Sequence, residues 1–197
     1  MRNSARHPIP IRRGHLGKAA EQLKQATGTG VEIISGTLVI SPTPCGKHAG
    51  VVIDLRDAMR PGLAPVYEAY ENVSVAMADD PDDYTTPDLT VGPLTFMEAE
   101  GWLLEPRDVV LAVEVLSPND RQRGTSEKLA WYAAAGVARL LQIDPRTGTW
   151  SLFTGPGGVE YKNVVHGKYG EDVPLPEDLG GELPTSDLTL YAANPGK

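Results

Sequence analysis

The 197-residue chain holds a single cysteine, Cys45. No internal disulfide can form, and the sequence suits a reducing compartment. Cys45 has no CxxC companion, which argues against a zinc site. No apolar run approaches the roughly twenty residues that a membrane-crossing helix needs. The opening stretch, MRNSARHPIPIRRGHLG, is basic but lacks the apolar segment of a secretory signal. A cytoplasmic protein with no membrane partner is therefore expected. GxGxxG, P-loop and GxSxG patterns are missing too, which removes the usual nucleotide-binding and serine-hydrolase readings. A basic excess is also lacking: 26 acidic residues face 18 basic ones, for a net charge of −8. Phosphate neutralisation supplies most of the affinity of nucleic-acid binders, so this balance counts against a strong general DNA binder.

What is present is ordinary for a globular protein, with 41% hydrophobic and 22% charged residues. The length suits one domain. Residues 1–17 read as a loose basic arm, carrying Arg2, Arg6, Arg12 and Arg13. Residues 18–197 read as a single domain, with its core at about 30–154 and an irregular Pro- and Gly-rich wrap at 155–197. Short strands turning at Ser35-Gly36 are expected over 31–41. A helix is expected over 47–59, ended by Pro61-Gly62. One strand is expected over 64–77, a solvated acidic loop over 78–83, and a short strand over 85–92 that Pro87 enters. The strongest apolar run, at 107–118, reads as a strand buried on both faces. A helix from about 124 to 135 stops at Gly136. A hairpin pairs 137–144 with 149–154, and 159–165 forms an outer strand. This order implies a mixed sheet flanked by helices.

One residue breaks the buried run at 107–118, and it is Glu114. A carboxylate inside a central strand is costly unless it is paired, protonated or bound to metal. A salt bridge to a nearby Arg or Lys is the plain reading. Asp88 offers a second carboxylate at a strand end, and Lys128 lies one turn into the helix that follows Glu114. Two carboxylates and a lysine at one sheet end would suit a hard divalent cation, with the lysine beside a metal-bound water.

PDL (87–89), AVEVLSPNDR (112–121) and EKLAWYAAAGVARLLQIDP (127–145) resemble the Uma-type restriction endonuclease family of the PD-(D/E)XK nuclease superfamily. VEIISGTLVISPTP (31–44) and His48 resemble that family's opening hairpin and histidine-bearing helix. The resemblance covers roughly 30–154. It implies a restriction-endonuclease-like α/β fold with an added N-terminal hairpin. It also implies Mg²⁺ (or Mn²⁺) held by Asp88 and Glu114, DNA as substrate, and hydrolysis by an ion-activated water. The superfamily's usual lysine position is Leu116 here, and the Uma-type pattern places the lysine at Lys128 instead. Glu32 matches an early acidic residue, a further ligand or base, although a Glu near a strand start is usually just solvated.

His48, Ser117 and Tyr132 are accessory candidates, each with a plainer structural reading. A lone helical His is more often structural. Ser117 could cap a loop or bond Glu114, and Tyr132 could pack on Leu129 or the sheet. Arg121 and Arg123, in the loop before the helix, are candidate phosphate contacts, although exposed arginines commonly serve no such role. Cutting both strands calls for two active centres, hence a homodimer. The competing reading is an inactive nuclease-like fold serving as a nucleic-acid or protein binding and regulatory module.

Overall fold

The computed structural model describes residues 16–41, 43–118 and 122–191, with the side chains of 122 and 123 left out. Most of the expected arm therefore lies outside the described residues, and its last two positions open a helix. Helix α1 (Leu16–Thr27) places Leu16, Ala20 and Leu23 at helical spacing, and they pack with Val31, Ile33 and Tyr84. The expected hairpin forms as β1 (Gly30–Ile34) and β2 (Thr37–Ser41), turning at Ser35-Gly36. Both turn residues have positive φ, 49° and 72°, as a two-residue primed turn requires. Helix α2 follows over Gly46–Met59.

The strand expected over 64–77 is two strands in two different sheets. β3 (Tyr67–Glu71) joins one sheet and β4 (Ser74–Met77) the other. The break falls at Asn72, which takes a φ of 58°; Asn tolerates that left-handed conformation better than most residues. The acidic stretch at 78–83 is also not a loop. A tight turn through Asp79 leads directly into β5 (Asp80–Thr85), paired with β4. Asp83 on that strand accepts from the Ser35 and Gly36 amides at 3.1 and 3.0 Å and from Trp131 Nε1 at 2.6 Å. Acidic side chains are thus used as acceptors that tie the hairpin to the third helix.

β6 (Leu89–Pro93) and β7 (Leu103–Leu104) come next. The long apolar run contributes β8 (Leu111–Val115) only, because 106–108 form a 3₁₀ turn first. Helix α3 (Gln122–Ala135) stops at Gly136, whose φ is 84°, and leads to β9 (Arg139–Asp144). β10 (Thr149–Pro156) and β11 (Tyr161–Lys168) complete an antiparallel meander. The outer strand expected over 159–165 thus forms as the edge strand β11, within a wrap otherwise expected to be irregular. That wrap also holds a small ladder, β12 (Val173–Pro174) with β13 (Glu182–Leu183).

Two mixed sheets result, in the orders β2-β1-β5-β4-β7 and β11-β10-β9-β8-β6-β3. β8 lies in the interior of the larger one, parallel to β9 through the α3 crossover. Its odd residues Leu111, Val113 and Val115 pack with Val51, Leu55 and Met59 of α2. Leu179, Leu183 and Leu188 from the C-terminal segment close the same cluster. Ala112, on the opposite face, packs with Trp131, Tyr132 and Ala135 of α3 and with Val75 of the smaller sheet. That alternation places Glu114 on the Ala112 face, between α3 and the second sheet. The chain crosses from β5 to β6, and so from one sheet to the other, through Thr86-Pro87-Asp88.

Candidate active site

Glu114 points into the space between the sheets with its side chain 13% exposed. Lys128 comes from α3, fourteen residues later, and its Nζ donates to Glu114 Oε1 at 3.0 Å and Oε2 at 3.2 Å. Tyr132 stands one turn further along α3, on the same side, and its hydroxyl donates to Glu114 Oε1 at 2.6 Å. Tyr132 is fully buried, so it both packs and bonds.

Glu32 is not solvated; its residue is 3% exposed. Its Oε1 accepts from Thr85 Oγ1 at 2.5 Å and the Thr86 amide at 2.8 Å, and Ser41 Oγ donates to Oε2 at 3.1 Å. Lys128 Nζ lies 3.0 Å from Glu32 Oε1 as well. The three N–H groups of this ammonium thus meet three carboxylate oxygens, one from the smaller sheet and two from the larger.

Asp88 sits one residue before β6, and the register Leu89↔Val113 carries it opposite Glu114. Its Oδ2 accepts from the Val115 amide at 2.7 Å, and its Oδ1 lies 2.9 Å from His48 Nε2. His48, on α2, is buried, and its Nδ1 faces Ser117 Oγ at 3.5 Å and Tyr191 Oη at 3.2 Å. Ser117 therefore meets His48, not Glu114. Arg121 lies outside the described residues, as does the Arg123 side chain.

Four residues of this network had no place among the sequence candidates: Ser41, Thr85, Thr86 and Tyr191. Thr85-Thr86 directly precede Pro87-Asp88, and that adjacency was the one available signal. Nothing local pointed to Tyr191.

Burial pushes the Glu114 carboxyl up. The charges of Asp88 and Glu32 add to the push, and the value reaches about 7 despite Lys128 and Tyr132. Burial would raise Glu32 as well, but the Lys128 charge and the donors from Thr85 and Thr86 outweigh it and hold that carboxyl below its ordinary range. Burial alone would discharge Lys128, but Glu114 and Glu32 keep it protonated well above the usual lysine range. Burial and the neighbouring Glu114 lift Tyr132 well above the ordinary phenol, so it donates as a neutral hydroxyl.

With all three carboxylates ionised, one ammonium leaves two negative charges uncompensated. Among the described residues no three His, Cys, Asp or Glu side chains gather as a metal cage. A hard divalent ion such as Mg²⁺ does not need one, because it commonly binds through one or two carboxylates and keeps water or phosphate as its other ligands. Asp88 and Glu114 fit that mode. A carboxylate offers about four acceptor positions, and the single donor on each Asp88 oxygen leaves part of that capacity open.

The chain matches, over residues 19–187, the family model described as "Uma2: Putative restriction endonuclease". No curated protein matches it. Its fold is similar to a solved "putative nuclease belonging to DUF820" from Anabaena variabilis, with a TM-score of 0.68 and 20% identity. The match covers 82% of this chain and 90% of the other. No helix among the described residues is long and apolar enough to cross a membrane.

Proposed function

The chain belongs to the Uma2 family, and on that premise we propose that it is a metal-dependent endonuclease hydrolysing DNA phosphodiester bonds. The observation that carries the reading is a cluster of three carboxylates in which the one ammonium, Lys128, bonds Glu114 and Glu32 while Asp88 lies opposite Glu114, so that the ionised set leaves two charges for a divalent cation. Asp88 and Glu114 would hold Mg²⁺ or Mn²⁺. Such an ion supplies charge neutralisation at the scissile phosphate and a more acidic bound water. Glu32 holds Lys128 at the centre, where its ammonium adds a fixed positive charge beside the reacting phosphate. Tyr132 orients Glu114. His48 and the Val115 amide fix both oxygens of Asp88. Cutting both strands would take two such centres, so we place the enzyme in a homodimer. Its single cysteine, Cys45, suits work in a reducing cytoplasm.

The test is nicking of supercoiled plasmid with Mg²⁺ or Mn²⁺. Wild type should cut, and Glu114→Gln and Asp88→Asn should each lose about 100-fold or more in rate with unchanged circular dichroism. Inert wild type across DNAs and metals would defeat the reading. A second reading draws on the net charge of −8 and on a lysine wholly engaged by carboxylates: a nuclease-like binding or regulatory module. It predicts partner binding that survives Glu114→Gln.

A further inference from the structure

Tyr191 reaches this site from the far end of the chain. Its backbone N–H donates to the Pro145 carbonyl at 2.9 Å, which pins the segment after Leu188 beside the β9–β10 turn. Its hydroxyl lies 3.2 Å from His48 Nδ1, while Ser117 Oγ is 3.5 Å from the same atom, at the limit of a hydrogen bond. The opposite edge of the ring faces Asp88 Oδ1 at 2.9 Å. A carboxylate only accepts, so Nε2 carries the proton. In the neutral ring Nδ1 is then bare and requires a donor. A hydroxyl supplies one. Tyr191 also lies outside residues 19–187, which the family model matches.

We propose that Tyr191 is a positioning residue: its hydroxyl donates to His48 Nδ1, fixing the ring orientation and the Nε2–H tautomer that hold Asp88 Oδ1. Without the ring, Asp88 keeps the Val115 amide on Oδ2, and its other oxygen loses this hold. The carboxylate could then swivel away from Glu114. The consequence for metal binding rests on the metal-site reading above, whereas the tautomer does not.

Long-range nitrogen-15 NMR on the full chain, with the imidazoles neutral, reads this directly and needs neither metal nor DNA. Wild-type His48 should be protonated at Nε2 with a hydrogen-bonded Nδ1. In Tyr191→Phe the Nδ1 resonance should move towards that of an unbonded nitrogen. Mn²⁺ binding, followed by water relaxation, should weaken about tenfold in the same variant, as expected for loss of an outer-shell partner. Adding Ser117→Ala should enlarge both effects. A wild-type proton on Nδ1, an unmoved resonance in both variants, or measurable Mn²⁺ binding of equal strength in wild type and Tyr191→Phe would overturn the proposal. A moved resonance with no Mn²⁺ bound by either protein would support the positioning and defeat the metal reading instead.

Discussion

Lys128 serves two buried carboxylates at once, and their pKa values are shifted in opposite directions. The folded-state value of Glu114 rises from 4.5 to about 7, so the native chain binds that proton more tightly than the unfolded one. Its contribution to metal-free stability is therefore fully present below 4.5 and is lost as pH climbs towards about 7. The depressed Glu32 acts the other way: its contribution is present above 4.5 and is lost as pH falls through its lowered value. Denaturant unfolding without metal should show wild type losing stability relative to Glu114→Gln as pH rises between 4.5 and about 7. A gap independent of pH would contradict this. The nicking proposed above should carry the same signature. Tyr132→Phe removes a donor that favours the Glu114 carboxylate, so the acidic limb of the pH–rate profile should move up. Glu32→Gln removes a repelling charge, so the limb should move down; shifts in one direction for both would refute the assignment. Glu114 was legible in the sequence because it interrupts an apolar run, and Lys128 because the next helix returns to the same sheet end. The burial of Glu32 was not, because the donors from Thr85 and Thr86 lie 53 and 54 residues away. Tyr191 stands 143 residues from His48, beyond any local pattern.

The acidic strand β5 matters because of Asp83, which joins the β1–β2 turn to α3 and so ties the element carrying Glu32 to the one carrying Lys128. Asp83→Ala leaves the buried Trp131 indole N–H without its acceptor, while the exposed Ser35 and Gly36 amides can turn to water, and should cost about 1–3 kcal/mol, read as a lowered denaturation midpoint with an unchanged m-value; no change would show the tie to be idle. A second element-level test concerns β10 and β11, where Trp150 pairs with Gly167. A Cβ at Gly167 would stand 2.2 Å from Trp150 Cζ2, so Gly167→Ala should displace the indole and lower the melting temperature. The hairpins and helices with clear turn chemistry were readable: Ser35-Gly36, Gly136, and 145–148. The division of 64–77 between two sheets was not. It depends on the left-handed conformation of Asn72, which tertiary structure selects. Nor did five residues reading Asp-Asp-Pro-Asp-Asp announce a strand, because the amides and indole they serve come from other elements.

At the scale of the molecule, the fold is two mixed sheets with helices, and the site lies where the chain crosses between them. Alternating strands and helices predicted mixed pairing, but the number of sheets depends on crossings that sequence pattern does not mark. A net charge of −8 gives DNA little long-range attraction. Replacing Arg2, Arg6, Arg12 and Arg13 with Gln should therefore weaken DNA binding and flatten its salt dependence, in proportion to the number of phosphates those arginines neutralise; fluorescence anisotropy across a salt series checks this, and an unchanged slope would exclude the arm from binding. Asp88 and Glu114 are proposed to hold a divalent cation together. The most direct measurement is an anomalous difference map from crystals soaked in Mn²⁺. One peak bonded to oxygens of both carboxylates is expected. A map with no peak there, and Glu114 still held by Lys128 and Tyr132, would contradict the proposed site.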